Sequence, residues 1–232
     1  MVSHSNTLDH HHPSSFTQSP LAQASHKEPG GHGVLLHNIS WQQYEDLLTV
    51  LGDRPSTRIA YDDGTLEIMT PLPEHGYFKQ TIGLAVNDIA DELEMDYDSY
   101  GSTTWKSELK KAGVEPDDCF YIQNEPLIRG KLTFDLIVDP PPDFVIEIDV
   151  TSKSLERFSI YARLGVPEIG RYGDGLLSIH LLDGEHYFKS PTSLAFPKLP
   201  VQELPQIISE YRPKGKRAMR RAFRQWARQH GA

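Results

Sequence analysis

A chain of 232 residues with 38% hydrophobic residues is long enough to bury one sizeable core, and no apolar run approaches the roughly 18 residues that a membrane span requires. The single cysteine, Cys119, excludes an internal disulfide framework and a cysteine-rich zinc site. The formal net charge of -9 argues against a general nucleic-acid coating protein, but residues 211–232 hold eight basic and no acidic residues, leaving 15 basic against 32 acidic residues in the remainder.

Single-cysteine usage fits a reducing compartment, and the N-terminus lacks the charged-then-apolar pattern of an export signal, so a cytoplasmic location is the expectation. Residues 1–34 are rich in Ser, His, Pro and Gly without helical or strand periodicity, and are read as a disordered tail; His10, His11 and His12 are given no role. An ordered body over 35–210 and a basic helix over 211–232 follow.

Ser40 with Gln43 three residues on forms a capping box for a helix carrying Trp41, Tyr44, Leu47, Leu48 and Leu51, ended by Gly52. Asp62-Asp63-Gly64 joins two short strands as a hairpin, with Leu66 and Ile68 on one side and Glu67 on the other. From Pro73 the spacing of Phe78, Ile82, Val86, Ile89 and Leu93 predicts a long helix, and His75 lies one step before that face at its leading end. Residues 97–112 read as one or two strands. Asp117 and Asp118 lead directly into a short apolar strand, and 123–141 is a connection closed by three prolines.

The stretch 142–152 alternates Phe144, Ile146, Ile148 and Val150 with Asp143, Glu147 and Asp149, a strand with one core face and one acidic face. A cap at 151–154 and the stripe Leu155, Phe158 and Ala162 predict a helix ending at Gly165, then a strand at 168–172. This strand-helix-strand unit predicts parallel pairing. Asp183-Gly184 joins a second hairpin, and 207–211 and the tail read as helical.

A carboxylate facing a covered sheet is costly unless it is paired or metal-bound, which singles out Asp117 and Glu147, with Asp149 beside them. Hard oxygen ligands of this kind suit Mg²⁺, with Mn²⁺ as the alternative, and a bound cation would lower the pKa of a water and neutralise charge on a phosphate.

Pro116-Asp117 before a strand, the run from Pro142 to Ser152, the segment from Leu155 to Glu168 ending Tyr-Ala-x-x-Gly-Val-Pro-Glu, and the 63–69 hairpin followed by His75 together resemble the Uma-two family of restriction endonucleases, within the PD-(D/E)XK nuclease superfamily. The resemblance runs from about Ser40 to Pro205. It implies an α/β, restriction-endonuclease-like mixed β-sheet flanked by helices. It also implies a DNA-cutting hydrolase with Asp117 and Glu147 as metal ligands and Glu67 or His75 at the edge of the site. Dimers that cut both strands are common in such folds.

One departure stands out: Asp149 occupies the position where the superfamily carries its lysine. Lys153, Arg157 or Lys79 could supply the missing cation, but an arginine cannot serve as a general base. In the tail, Met219, Phe223 and Trp226 form an apolar stripe edged with basic residues. Lys214, Lys216, Arg217, Arg220, Arg221, Arg224 and Arg228 are then candidate DNA-phosphate contacts, or cations paired with the acidic body. A nuclease-fold protein without activity, binding nucleic acid or a partner protein, is the alternative. A glycoside hydrolase using Glu147 and Asp149 ranks below both, since no aromatic sugar groove is legible near that strand.

Overall fold

The computed structural model describes residues 1, 23–25, 32–52, 57–150 and 155–231. The histidine-rich segment at 10–12 and the expected helix cap at 151–154 lie outside them.

Two short strands, β1 (Gln23–Ser25) and β2 (His32–His37), precede helix α1 (Trp41–Leu51). Ser40 Oγ accepts from the Gln43 backbone while the Gln43 side chain accepts from Ser40 N, the reciprocal cap the sequence signalled. The hairpin β3 (Arg58–Asp62) and β4 (Thr65–Thr70) turns through Gly64 at φ 93°. Helix α2 (Pro73–Glu92) follows, then β5 (Asp98–Ser99), β6 (Trp105–Ser107), β7 (Ala112–Val114) and β8 (Asp118–Tyr121). The connection at 123–141 contains a short helix, α3 (Glu125–Ile128), before β9 (Phe144–Ile148).

Helix α4 (Arg157–Leu164) starts later than its sequence suggested, capped by the Glu156 side chain on Phe158 N, and ends at Gly165 in the left-handed region. Its buried positions are Arg157, Ile160, Tyr161 and Leu164 rather than Leu155, Phe158 and Ala162. The predicted stripe is displaced because α4 lies between two packed surfaces and Tyr161 and Arg157 turn inward together. Then come β10 (Glu168–Gly173), β11 (Leu176–Asp183), β12 (His186–Ser190), α5 (Leu204–Tyr211) and α6 (Lys216–Gly231).

The strands form two sheets. The first runs β1-β2-β4-β3-β7-β6 and is antiparallel; the second runs β12-β11-β10-β9-β8-β5, antiparallel except for the parallel pair β9 and β10 joined through α4. This is the α/β arrangement of sheets flanked by helices that a restriction-endonuclease-like fold requires. It is distributed over two sheets because residues 58–70 and 105–114 pair with each other and not with β8.

Alternation along β9 separates two cores. Phe144, Ile146 and Ile148 face α2, α5 and α6, whereas Val145 faces α4 and the first sheet. Helix α1 covers the outer face of the first sheet through Tyr44, which stacks on Tyr61. Helix α2 lies close against β8 because residue 83 is glycine: a methyl there would overlap the Asp118 carboxylate. No helix among the described residues is long and apolar enough to cross a membrane.

Candidate active site

Glu147 follows Val145 on the inner face of β9, so the chain carries its carboxylate into the layer between the sheets, where it is 2% exposed. Asp117 stands one residue before β8. Its N–H donates to Ile146 O at 3.1 Å, and its Oδ2 accepts from Ile148 N at 2.7 Å, so its carboxylate is held against the backbone on either side of Glu147. Both bonds depend on the antiparallel register of β8 and β9, which places Asp118 opposite Ile146. From the first sheet comes Glu67, pointing away from Leu66 and Ile68 and also 2% exposed. Carboxylates from β4, from β9 and from the residue leading into β8 thus meet where the sheets face each other.

Their charge is met by arginines and one histidine. Arg157, at the start of α4, donates from Nη2 to Glu67 Oε2 at 3.1 Å, places Nη1 3.6 Å from Glu147 Oε2, and is 3% exposed. Nη1 also donates to the carbonyl of Glu115 at 3.3 Å. Burial works against its charge, but Glu147 and Glu67 together hold the guanidinium above the ordinary arginine range. Tyr161, one turn along α4, donates its hydroxyl to Glu147 Oε1. Burial and the neighbouring Glu147 charge raise the pKa of that phenol, so it is a fixed donor. On Asp117, Oδ1 faces His75 Nε2 at 3.0 Å and Arg58 Nε at 3.9 Å.

Lys79, one turn after His75, is half-buried and donates to Ser102 Oγ at 2.6 Å; Ser102 Oγ in turn donates to the Asp117 carbonyl at 3.0 Å. Desolvation, aided by Arg58, lowers the Lys79 pKa. Cys119 lies in the same layer, but burial pushes its thiol up to about 12 and it receives the Trp105 indole N–H, which removes it as a nucleophile.

Of the residues singled out in the sequence, the fold brings together Glu67, His75, Asp117, Glu147 and Arg157. Asp149 is held elsewhere, its carboxylate paired with Arg171 on β10. Lys153 lies outside the described residues. The basic tail sits on the far face of the second sheet. Arg220 and Arg224 grip the buried Asp88, Arg228 pairs with Glu92, Lys214 with Glu210, and Lys216 bonds Gln80; Arg217 and Arg221 are exposed. Sequence reasoning missed Arg58 and Tyr161. Tyr161 had a signal, its helical spacing of four from Arg157, while Arg58 is a single cation in an apolar strand and becomes visible only once β3 and β8 are near each other.

The model of the Uma2 family, described as "Putative restriction endonuclease", matches residues 41–218, more than three-quarters of the chain. The chain belongs to the Uma2 family. The match extends over every element that contributes to the buried cluster, from α1 into the start of α6. Membership makes a nuclease the broad class to which the Uma2 chain's site is referred. No curated protein matches the chain.

Proposed function

We propose that the protein is a metal-dependent endonuclease that hydrolyses phosphodiester bonds of DNA, with Asp117 and Glu147 at the centre of its site. The observation that supports this most is the burial of Glu67, Asp117 and Glu147 together, no more than 2% exposed, around one arginine and one histidine. Burial of this kind is costly unless the carboxylates are paired or hold a cation.

The donor set suits a hard divalent cation such as Mg²⁺ or Mn²⁺. Among the described residues no three His, Cys, Asp or Glu side chains form a metal cluster; a Mg²⁺ site can use one or two carboxylates, with water and phosphate oxygens completing its shell. Asp117 and Glu147 are the residues that would hold it. A cation held there would lower the pKa of a water and offset the negative charge that builds on the phosphate oxygens. The chain's own side chains do the rest. Arg157 and Arg58 supply fixed positive charge beside the reacting phosphate and, as arginines, take no proton. His75 is placed to carry a proton to or from the oxygens at Asp117. Tyr161 fixes the rotamer of Glu147.

Purified protein should nick or linearise plasmid DNA with Mg²⁺ or Mn²⁺ and not in EDTA. Asp117→Asn and Glu147→Gln should each abolish cleavage while the folded state persists by circular dichroism. Undiminished cleavage by both variants would sink the assignment.

A second reading rests on a particular contact. Arg157 already bridges Glu67 and Glu147, and Asp149, at the superfamily's lysine position, is occupied by Arg171. A nuclease fold that retained this network for stability alone would bind nucleic acid or a partner without cutting. A ligand that binds only the folded state must raise its melting temperature, so millimolar Mg²⁺ or Mn²⁺ separates the readings: a rise favours the endonuclease and no shift favours the inactive form.

A further inference from the structure

The acid cluster is sealed, since Glu67, Asp117, Glu147 and Arg157 are at most 3% exposed, so a substrate must reach it through a neighbouring opening. One cleft, of about 620 Å³, adjoins it through Arg58, between the end of α1, the start of β3 and the segment at 100–106. Arg58 lines this cleft and also faces Asp117 Oδ1, and Lys79 lines it while its bond to Ser102 continues to the Asp117 carbonyl. Lys106 stands farther out on the same wall. Among the described lining residues the three cations are set against one carboxylate, Glu115, whose pKa is raised by burial and whose oxygens accept from Thr104 Oγ1 and Ile59 N. The lining is therefore positive, in a chain that is acidic overall.

Lys106 pairs with Glu45 at 2.6 Å on a surface where both side chains remain about a third exposed. Such a pair contributes little to stability and exchanges readily for a phosphate. Tyr100 and the hydroxyls of Ser102, Thr103 and Thr104 add a ring and further donors to the same lining. The tail helix offers a poorer surface. It lies on the opposite face of the second sheet from Glu147, and its Arg220, Arg224 and Arg228 are already engaged by Asp88 and Glu92.

We propose that this cleft, and not the basic tail, receives the phosphodiester backbone of the DNA strand to be cut, with Lys79 and Lys106 as phosphate contacts leading to Asp117. The proposal rests on the endonuclease reading for its substrate, but its test is a binding measurement that needs no cleavage. The affinity of the full chain for a fluorescently labelled DNA duplex is measured in EDTA across a range of salt, with gel analysis confirming that the duplex stays intact. Each phosphate contact removed lowers the slope of log affinity against log salt by about 1. Lys106→Ala and Lys79→Ala should each show that drop and weaken binding several-fold, whereas the exposed pair Arg217→Ala with Arg221→Ala should leave the slope unchanged. Melting temperatures establish that the variants are folded, and exposed Lys106 carries the test if Lys79→Ala is not. An unchanged slope in Lys106→Ala overturns the proposal whatever the tail variant does, as does an absence of DNA binding by the unsubstituted chain. Failure of the endonuclease reading shows separately, as DNA binding without metal-dependent cleavage.

Discussion

Arg157 shows how much one side chain can carry. It bridges Glu67 and Glu147, and these partners come from different sheets. Removing one member of a buried ion pair leaves uncompensated charge and typically costs about 3–5 kcal/mol. Arg157→Ala should therefore lower unfolding free energy by that amount in urea titration, and Arg157→Lys should recover only part, because an ammonium lacks the planar fork that reaches both carboxylates. A loss below about 1 kcal/mol would mean that the network contributes little to stability. At this scale the sequence was partly legible. Asp117 and Glu147 stood out because acids beside apolar strand positions demand partners. Of their partners, Arg157 was among the cations the sequence offered, whereas Arg58, 59 residues before Asp117, meets its partner only once the two sheets are packed.

Among the elements, those with local signals were readable: the capping box of α1, the Asp-Gly hairpin turns, and the parallel β9 and β10 linked through α4. Strand β2 was not read as such, and α3 fell within what looked like a plain connection. Short elements such as these are stabilised by their neighbours more than by their own pattern. Helix α6 is the opposite case, for its Met219, Phe223 and Trp226 stripe was visible and is buried against α2 and α5. The charges around it serve the packing, with Asp88, fully buried, accepting from both Arg220 and Arg224. Phe223→Ala should cost about 3–5 kcal/mol by chemical denaturation, the range for emptying an aromatic core position. A cost near zero would mean that α6 is detached in solution.

Across the whole molecule, burial raises the pKa of several carboxyl groups, among them Glu115, Asp118 and Glu168. Glu168 is the cleanest to test because it lies away from the acid cluster, at the start of β10, where its Oε2 accepts from Leu194 N and Ala195 N at 2.8 Å each. Its folded-state pKa lies above the unfolded value of about 4.3, so its protonated form favours folding; that contribution is complete below the unfolded pKa and is lost as pH rises through the folded one. Glu168→Gln, which stays neutral, should gain in melting temperature relative to the unsubstituted chain between about pH 4 and pH 7. A difference that is constant with pH, or that runs the other way, would contradict the burial argument. The two-sheet division was the least legible feature, because strand order is decided by which edges meet.

The seam between the sheets has a consequence for the order in which the protein becomes competent. Glu67 is synthesised long before Arg157, and Glu147 lies on a strand whose parallel neighbour, β10, comes later still. A nascent chain stopped before α4 holds Glu67 and Glu147 without Arg157, which bonds the first and pairs with the second. Assembly of this buried cluster is thereby tied to docking of the two sheets.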